Sequence, residues 1–547
     1  MIRLLFLAAL CAARAGSSSK AELLLRGGKI FLSPGRYANS VAVEGGRIRA
    51  LDAEAEALKG PGTRVIELGG RAVVPGFHDG HNHFAKGALF LGQVDLNGTS
   101  TEDEALARVR AYVKANPGDG WVLGRGWDQS VWKGERYPTA AELDAIEAKR
   151  PLAFKSMDGH VFWLNSEAMR RVGATRDTPD PANGRILRGA GGEPSGVFVE
   201  KAIYLVEAAI PKPSPAELEA AFERALARAA SFGVTAFQGP VDVSSHSEVE
   251  AWRRLEKAGK ARVRAFFWGK LEDPKGFLDL KREFSELPAE RFTFLGAKGF
   301  VDGVIASHTA ALLAPYSDAP KESGTPNFTQ AELDARVAAA RALGLQVELH
   351  AIGDRAVRMA LNSCPRVSSP FPTCKIEHIE VLALEDVPRF AKQGVVASMQ
   401  PSHMCYDSPE QDPTPQRLGA RTRGSFVWRS LEKAGALLVF GTDWPVVPLD
   451  PREQLYAATT RRHLNGKPIE GWMPGERVSL EDAIVHYTLD PARAVGREAD
   501  LGSVAVGKRA DLVVFGKDLF ALSGEELRTV PVDMTVFDGA VVYERKP

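Results

Sequence analysis

Hydrophobic and polar positions follow two rhythms along this chain: short alternating runs at both ends, and longer cycles of apolar run and amphipathic helix between them. Near the start, Ala21 to Arg26, Ser40 to Glu44 and Arg64 to Leu68 read as strands separated by the glycine turns Gly45-Gly46 and Gly69-Gly70. The far end has the same texture, with Asp511 to Phe515, Val532 to Phe537 and Ala540 to Tyr543 apolar or alternating between turn residues. Two β-rich ends around an α/β middle predict one small β-sandwich domain assembled from both termini, residues 16–70 and 500–547.

In the middle, β-branched runs alternate with alanine-rich stretches such as Pro215 to Ser231 and Gln330 to Leu343, the signature of a parallel α/β fold. Eight strands ending near Phe77, Gln238, Trp268, Val301, His350, Ile379, Gln400 and Asp443 predict a TIM-like (β/α)8 barrel over residues 71–499. The stretch from about Leu96 to Ile210 is too long for one βα unit and is expected to form an insertion over the barrel mouth.

With 547 residues, the chain has room for a large barrel and an accessory domain. Lys plus Arg and Asp plus Glu are each 69, so nucleic-acid binding has no electrostatic support. At the N-terminus, Arg3 precedes an apolar run from Leu4 to Ala13, and Ala13-Arg14-Ala15 offers a small-residue cleavage site before Gly16. Residues 1–15 therefore read as a signal peptide, too short to span a bilayer, and predict export to the periplasm or medium with no membrane span left behind. Without that signal the location is cytoplasmic. Beyond it Cys364, Cys374 and Cys405 are an odd set. Buried free thiols are the expectation, with a Cys364–Cys374 pair the alternative in an oxidising compartment.

Chemistry enters at Phe77-His78-Asp79-Gly80-His81-Asn82-His83. In extended backbone, residues i and i+2 point to the same side, so His81 and His83 can share one metal ion. A lone pair of this kind is weak evidence, but His350, His378 and Asp443 also stand at predicted strand ends. The carboxyl ends of barrel strands converge on one face, so these distant residues are expected to meet there. Several histidines with an aspartate suit zinc or a similar divalent ion, one or two per chain.

Taken together with Asp158-Gly159-His160, Trp163-Leu164-Asn165-Ser166, Lys298-Gly299-Phe300-Val301-Asp302-Gly303, Leu349-His350-Ala351-Ile352-Gly353-Asp354 and Gly441-Thr442-Asp443-Trp444-Pro445, the chain resembles the amidohydrolase superfamily. The likeness is to the amidohydrolase-3 branch that includes N-substituted formamide deformylases. The resemblance implies that Lys298, on the fourth strand, is carboxylated and bridges two metals; otherwise it is a plain cation beside the site. His78 and His308 depart from the commoner pattern and bear on hydrogen bonding around the ligands or on substrate choice.

The mechanism these residues imply is hydrolysis by metal-activated hydroxide, with Asp443 moving the proton from water to the departing amine. His160 is a candidate for the substrate carbonyl or oxyanion, or else a structural histidine. Asp302 either positions substrate or caps the following turn. Trp127, Trp163 and Trp444 are candidate pocket walls for an apolar substituent, with core packing the alternative. The resemblance implies a small N-substituted amide or formamide as the favoured substrate. The same centre also suits a lactone, carbamate or phosphate ester, and a non-catalytic scaffold or metal-binding relative is the remaining reading. A homodimer is compatible with the sequence and is not selected by it.

Overall fold

A computed structural model describes residues 20–132, 136–157, 159–241, 246–405 and 414–546. The expected signal segment and Asp158 lie outside the described residues. The described residues fall into two compact units, one made of residues 20–82, 227–241 and 262–546, the other of 83–226 and 246–261.

In the first unit eight strands run parallel in chain order: β1 (Phe77–Asp79), β2 (Val234–Pro240), β3 (Arg264–Lys270), β4 (Phe292–Phe300), β5 (Gln346–Ala351), β6 (Cys374–His378), β7 (Val396–Met399) and β8 (Leu438–Phe440). All eight expected strands are present, each ending within a few residues of its predicted position. Gly80 N–H donates to Phe440 O at 3.0 Å, joining the ends of β1 and β8 and bringing the sheet round to a nearly closed TIM-like barrel. The β1 end is fixed further by Asp79, which accepts from Thr442 N at 2.7 Å and Thr442 Oγ1 at 2.6 Å. That clasp sets His81 beside Asp443. Gly441 permits it, since a Cβ there would sit 2.5 Å from His81 N.

Strands from both ends of the chain join one continuous eight-stranded sheet. Its order is Ala540–Glu544, Val532–Phe537, Leu512–Phe515, Ala72–Pro75, Leu23–Ser33, Arg36–Glu44 and Arg47–Leu51, with Arg64–Glu67 paired to Leu23–Ser33. Ala72–Pro75, expected within the barrel span, belongs to this sheet, and Arg47–Leu51 is a strand the sequence pattern did not single out. The fully buried Leu25, Ile30, Val41, Val73, Leu512 and Val536 pack in its core. Arg264, at the start of β3, reaches Asp511 at 2.9 Å and also pairs with Asp538, tying this sheet to the barrel.

The second unit contains a six-stranded sheet ordered Gly184–Arg188, Pro194–Glu200, Val161–Leu164, Leu152–Ser156, Val122–Trp127 and Val94–Asp95. It has its own apolar core, centred on Trp127, Trp132, Phe154 and Trp163. Cys364 and Cys374 form a disulfide, Cα to Cα 6.1 Å, between the end of the helix Asp354–Ser363 and the first residue of β6. This corrects the expectation of free thiols there; Cys405 alone remains a buried thiol among the described cysteines. Among the described residues no helix is long and apolar enough to cross a membrane.

Candidate active site

The ends of β1 and β8 place His81 and Asp443 together, with His81 Nε2 3.3 Å from Asp443 Oδ1. The other carboxylate oxygen, Oδ2, lies 4.0 Å from His378 Nδ1 and 4.0 Å from His403 Nε2. His378 ends β6, and its ring is 4.5 Å from that of His350 on β5 and 5.5 Å from that of His81. Lys298, on β4, brings its Nζ to 2.9 Å from His81 Nε2. Expected residues from five strand ends thus meet at one place: His81, Lys298, His350, His378 and Asp443.

Two adjacent residues at the end of β6, Glu377 and His378, both reach this interior. Regular strand backbone would send them to opposite faces. His378 and Ile379 have φ of 75° and 50°, so the strand breaks at that point and the imidazole turns inward; Asp443 has φ 57° after β8. Non-glycine residues in this region are uncommon and cluster at functional sites.

The electrostatics favour a cation. Burial and Lys298 oppose a charge on His81, but Glu377, Glu348 and Asp443 outweigh them and hold its pKa up at about 9. Carboxylates that draw a proton onto an imidazole also draw a metal ion. Burial and Lys298 push His350 down to about 4, and burial and His350 hold His378 well below the ordinary histidine range. Both rings are therefore neutral and offer lone pairs, the form that binds metals. His378, His403 and Asp443 present donor atoms all within 4.8 Å of one another, an imidazole and carboxylate set that fits zinc or a similar ion. His81, Glu348 and Glu377 form another such group, whose two carboxylates also face the Lys375 ammonium, at 2.8 and 2.9 Å, so that one of their two charges is balanced.

The other expected residues have varied placements. His83 is half-buried and flanks the helix Phe84–Phe90 as the first residue of the second unit. Trp444, beside Asp443, is 6% exposed. His160, in the second unit, is exposed, with Nδ1 3.1 Å from Glu200 Oε2. Trp127 and Trp163 are accounted for as core packing: both are fully buried, 6.0 Å apart, and their indole N–H groups donate to Phe154 O and Thr139 O. Asp302 is engaged by the backbone, accepting from Ala311, Ile352 and Gly353 N–H at 2.8 to 3.0 Å, which makes it a clamp on the turn after β5, and its Oδ1 lies 3.7 Å from His350 Nε2. His78 is buried and stacked on Phe266, and burial together with Lys375 holds it at about 3. His308 lies 3.1 Å from Asp318.

Four functional neighbours were not singled out from sequence: Glu348, Lys375, Glu377 and His403. The strand period held a signal for three of them, because Glu348 precedes His350 by two residues and Lys375 precedes Glu377 by two. His403 follows β7 in a short 3-10 turn, Pro401–Cys405, and its Nδ1 lies 3.8 Å from Glu380 Oε1.

Comparison with known proteins agrees with this geometry. The amidohydrolase family matches residues 64–543. The protein LONG AFTER FAR-RED 3 of Arabidopsis thaliana is 33% identical over 92% of this chain and 89% of its own length. The N-substituted formamide deformylase of Arthrobacter pascens is 28% identical over 93% and 95%. A metal-dependent hydrolase from Pyrococcus horikoshii has the same fold, with a TM-score of 0.76 and 25% identity over 92% of this chain and 98% of its own. A nearly closed parallel barrel, imidazoles and an aspartate gathered at its strand ends, and a family match over most of the sequence lead to one conclusion: this chain is an enzyme of the amidohydrolase family.

Proposed function

We propose that the protein hydrolyses a carbon–nitrogen bond other than a peptide bond, of the amide or N-formyl kind, in a small N-substituted substrate. The observation that carries this reading is the position of Asp443, whose two oxygens face His81 on one side and His378 and His403 on the other. His81, His83, His350, His378 and Asp443 are the metal ligands in this reading, with Lys298 as a carboxylated bridging ligand. A divalent ion, zinc in first place and one or two per chain, supplies Lewis acidity and lowers the pKa of water toward roughly 7. Asp443 takes the proton from water and returns it to the departing amine. Gln400 Oε1, 2.9 Å from His378 Nδ1, fixes the orientation of that ring. An unmodified ammonium 2.9 Å from His81 Nε2 opposes a cation, and carboxylation of Lys298 turns it into an anionic oxygen donor.

Support for the bond class comes from the formamide deformylase relative, and Trp444 beside the proton carrier supplies an apolar wall for the substituent on nitrogen. The Cys364–Cys374 disulfide supports work in an oxidising compartment. To test the whole, metal per purified chain is measured and N-formyl, N-acyl and ester substrates are assayed with and without chelator. Chelator-sensitive turnover of the amides is expected. Activity indifferent to chelator, or confined to esters, contradicts the proposal.

A further inference from the structure

Beneath the metal-binding face lies a buried charge network. Lys298 on β4 pairs in register with Glu348 on β5, and Glu348 with Lys375 on β6, so the three side chains lie at one level of the barrel. All three are at most 4% exposed. Lys375 Nζ is at the centre, within 2.9 Å of four acceptors: Glu348 Oε2, Glu377 Oε1, Gly80 O and Gln238 Oε1. A single ammonium therefore ties together β1, β2, β5 and β6.

Each carboxylate it holds leads on to an imidazole. Glu348 Oε1, the oxygen facing away from Lys375, lies 3.3 Å from His81 Nδ1. Glu377 Oε2 accepts from Gln400 Nε2 at 3.1 Å, and Gln400 Oε1 meets His378 Nδ1 at 2.9 Å. In both chains the far end engages Nδ1, and in His81 the other nitrogen, Nε2, faces Asp443 Oδ1 at 3.3 Å. Partners on the non-ligating nitrogen fix tautomer and ring orientation in metal-binding histidines.

We infer that Lys375 is a positioning residue, which through Glu348 and through Glu377–Gln400 holds the imidazoles of His81 and His378 in the orientation that presents them to the metal. It touches neither metal nor substrate. An unpaired carboxylate in this interior is costly, so without the ammonium Glu348 and Glu377 must move or take up protons, and the two imidazoles lose their orienting partners. The inference rests on the metal-centre reading above.

The test is zinc affinity of the full-length protein, from competition with a graded chelator, alongside circular dichroism of the metal-free form. Lys375→Met should keep the metal-free fold and weaken zinc binding by about 10- to 100-fold, with kcat restored when zinc is raised to saturation. Glu348→Gln, which removes one charge without changing shape, should weaken it within the same range, and the double variant should lose no more than Lys375→Met alone, because both act in one chain. Folded variants that bind zinc as tightly as the parent overturn the inference. If Lys375→Met does not fold, Glu348→Gln decides by the same measure; if neither folds, the network serves stability and the inference falls. A parent protein that binds no divalent ion sinks the metal-centre reading itself, a separate result.

Discussion

At Asp443 the two carboxylate oxygens have different neighbours, Oδ1 toward His81 and Oδ2 toward His378 and His403, so one side chain faces imidazoles on two sides. Asp443→Asn keeps the shape and loses the ability to accept a proton. It should fold, retain most of its metal, and lose about 100- to 10,000-fold in kcat; unchanged turnover rules Asp443 out as the proton carrier. Asp302 makes the opposite case, a carboxylate whose work is structural. Burial pushes its pKa up to about 7 against the pull of three backbone N–H donors. Asp302→Ala strands those donors at a cost of about 3 kcal/mol or more, read as a lower thermal midpoint in the metal-free protein. The two aspartates differ in what surrounds them, and the sequence shows only that each follows a strand. For the same reason Trp127 and Trp163 read equally well as pocket or core until the second unit proved to have a core of its own.

At the scale of elements, the eight barrel strands were legible because each is an apolar run closed by a turn, and their ends carry the polar residues that the fold gathers. The Lys375 network was not, because a buried lysine declares itself only through partners on other strands. His378 was legible as a strand-end residue, while its inward turn depends on a backbone break that no residue pattern announces. Packing behind β8 gives a prediction of its own. His486, at the end of the helix Leu480–His486, lies 2.7 Å from Asp490 and 3.3 Å from Glu432 and so joins three helical segments. Burial opposes its charge, but Asp490 and Glu432 prevail and raise its pKa to about 9 from 6.5. A histidine raised on folding stabilises fully below its unfolded pKa and loses that contribution as pH climbs through the folded value. Stability should therefore fall by roughly 3 kcal/mol as the pH rises from about 6.5 to 9, because each pH step of one between those values removes ~1.4 kcal/mol. Denaturant midpoints of the parent and of His486→Gln across that range provide the check; equal slopes discard the idea.

For the molecule as a whole, the disulfide and the shared sheet set where the chain is vulnerable. Cys364–Cys374 closes a loop at the base of β6, the strand that carries Lys375, Glu377 and His378. By loop-closure entropy a crosslink of this short span stabilises by about 2–3 kcal/mol, so reduction or the Cys364→Ser, Cys374→Ser pair should lower the thermal midpoint by about 2–3 °C in a chain of this size. An unmoved midpoint means the link contributes nothing to stability. The shared sheet has a further effect, on synthesis. Leu512–Phe515 pairs with Ala72–Pro75, the strand just ahead of the one that leads to His81, so a segment made before the barrel waits for one made after it. On the ribosome that early strand stays an open edge until all the barrel strands have been made. A premature stop shortly before Leu512 would thus leave every barrel strand translated and yet release a product with its adhesive backbone uncovered.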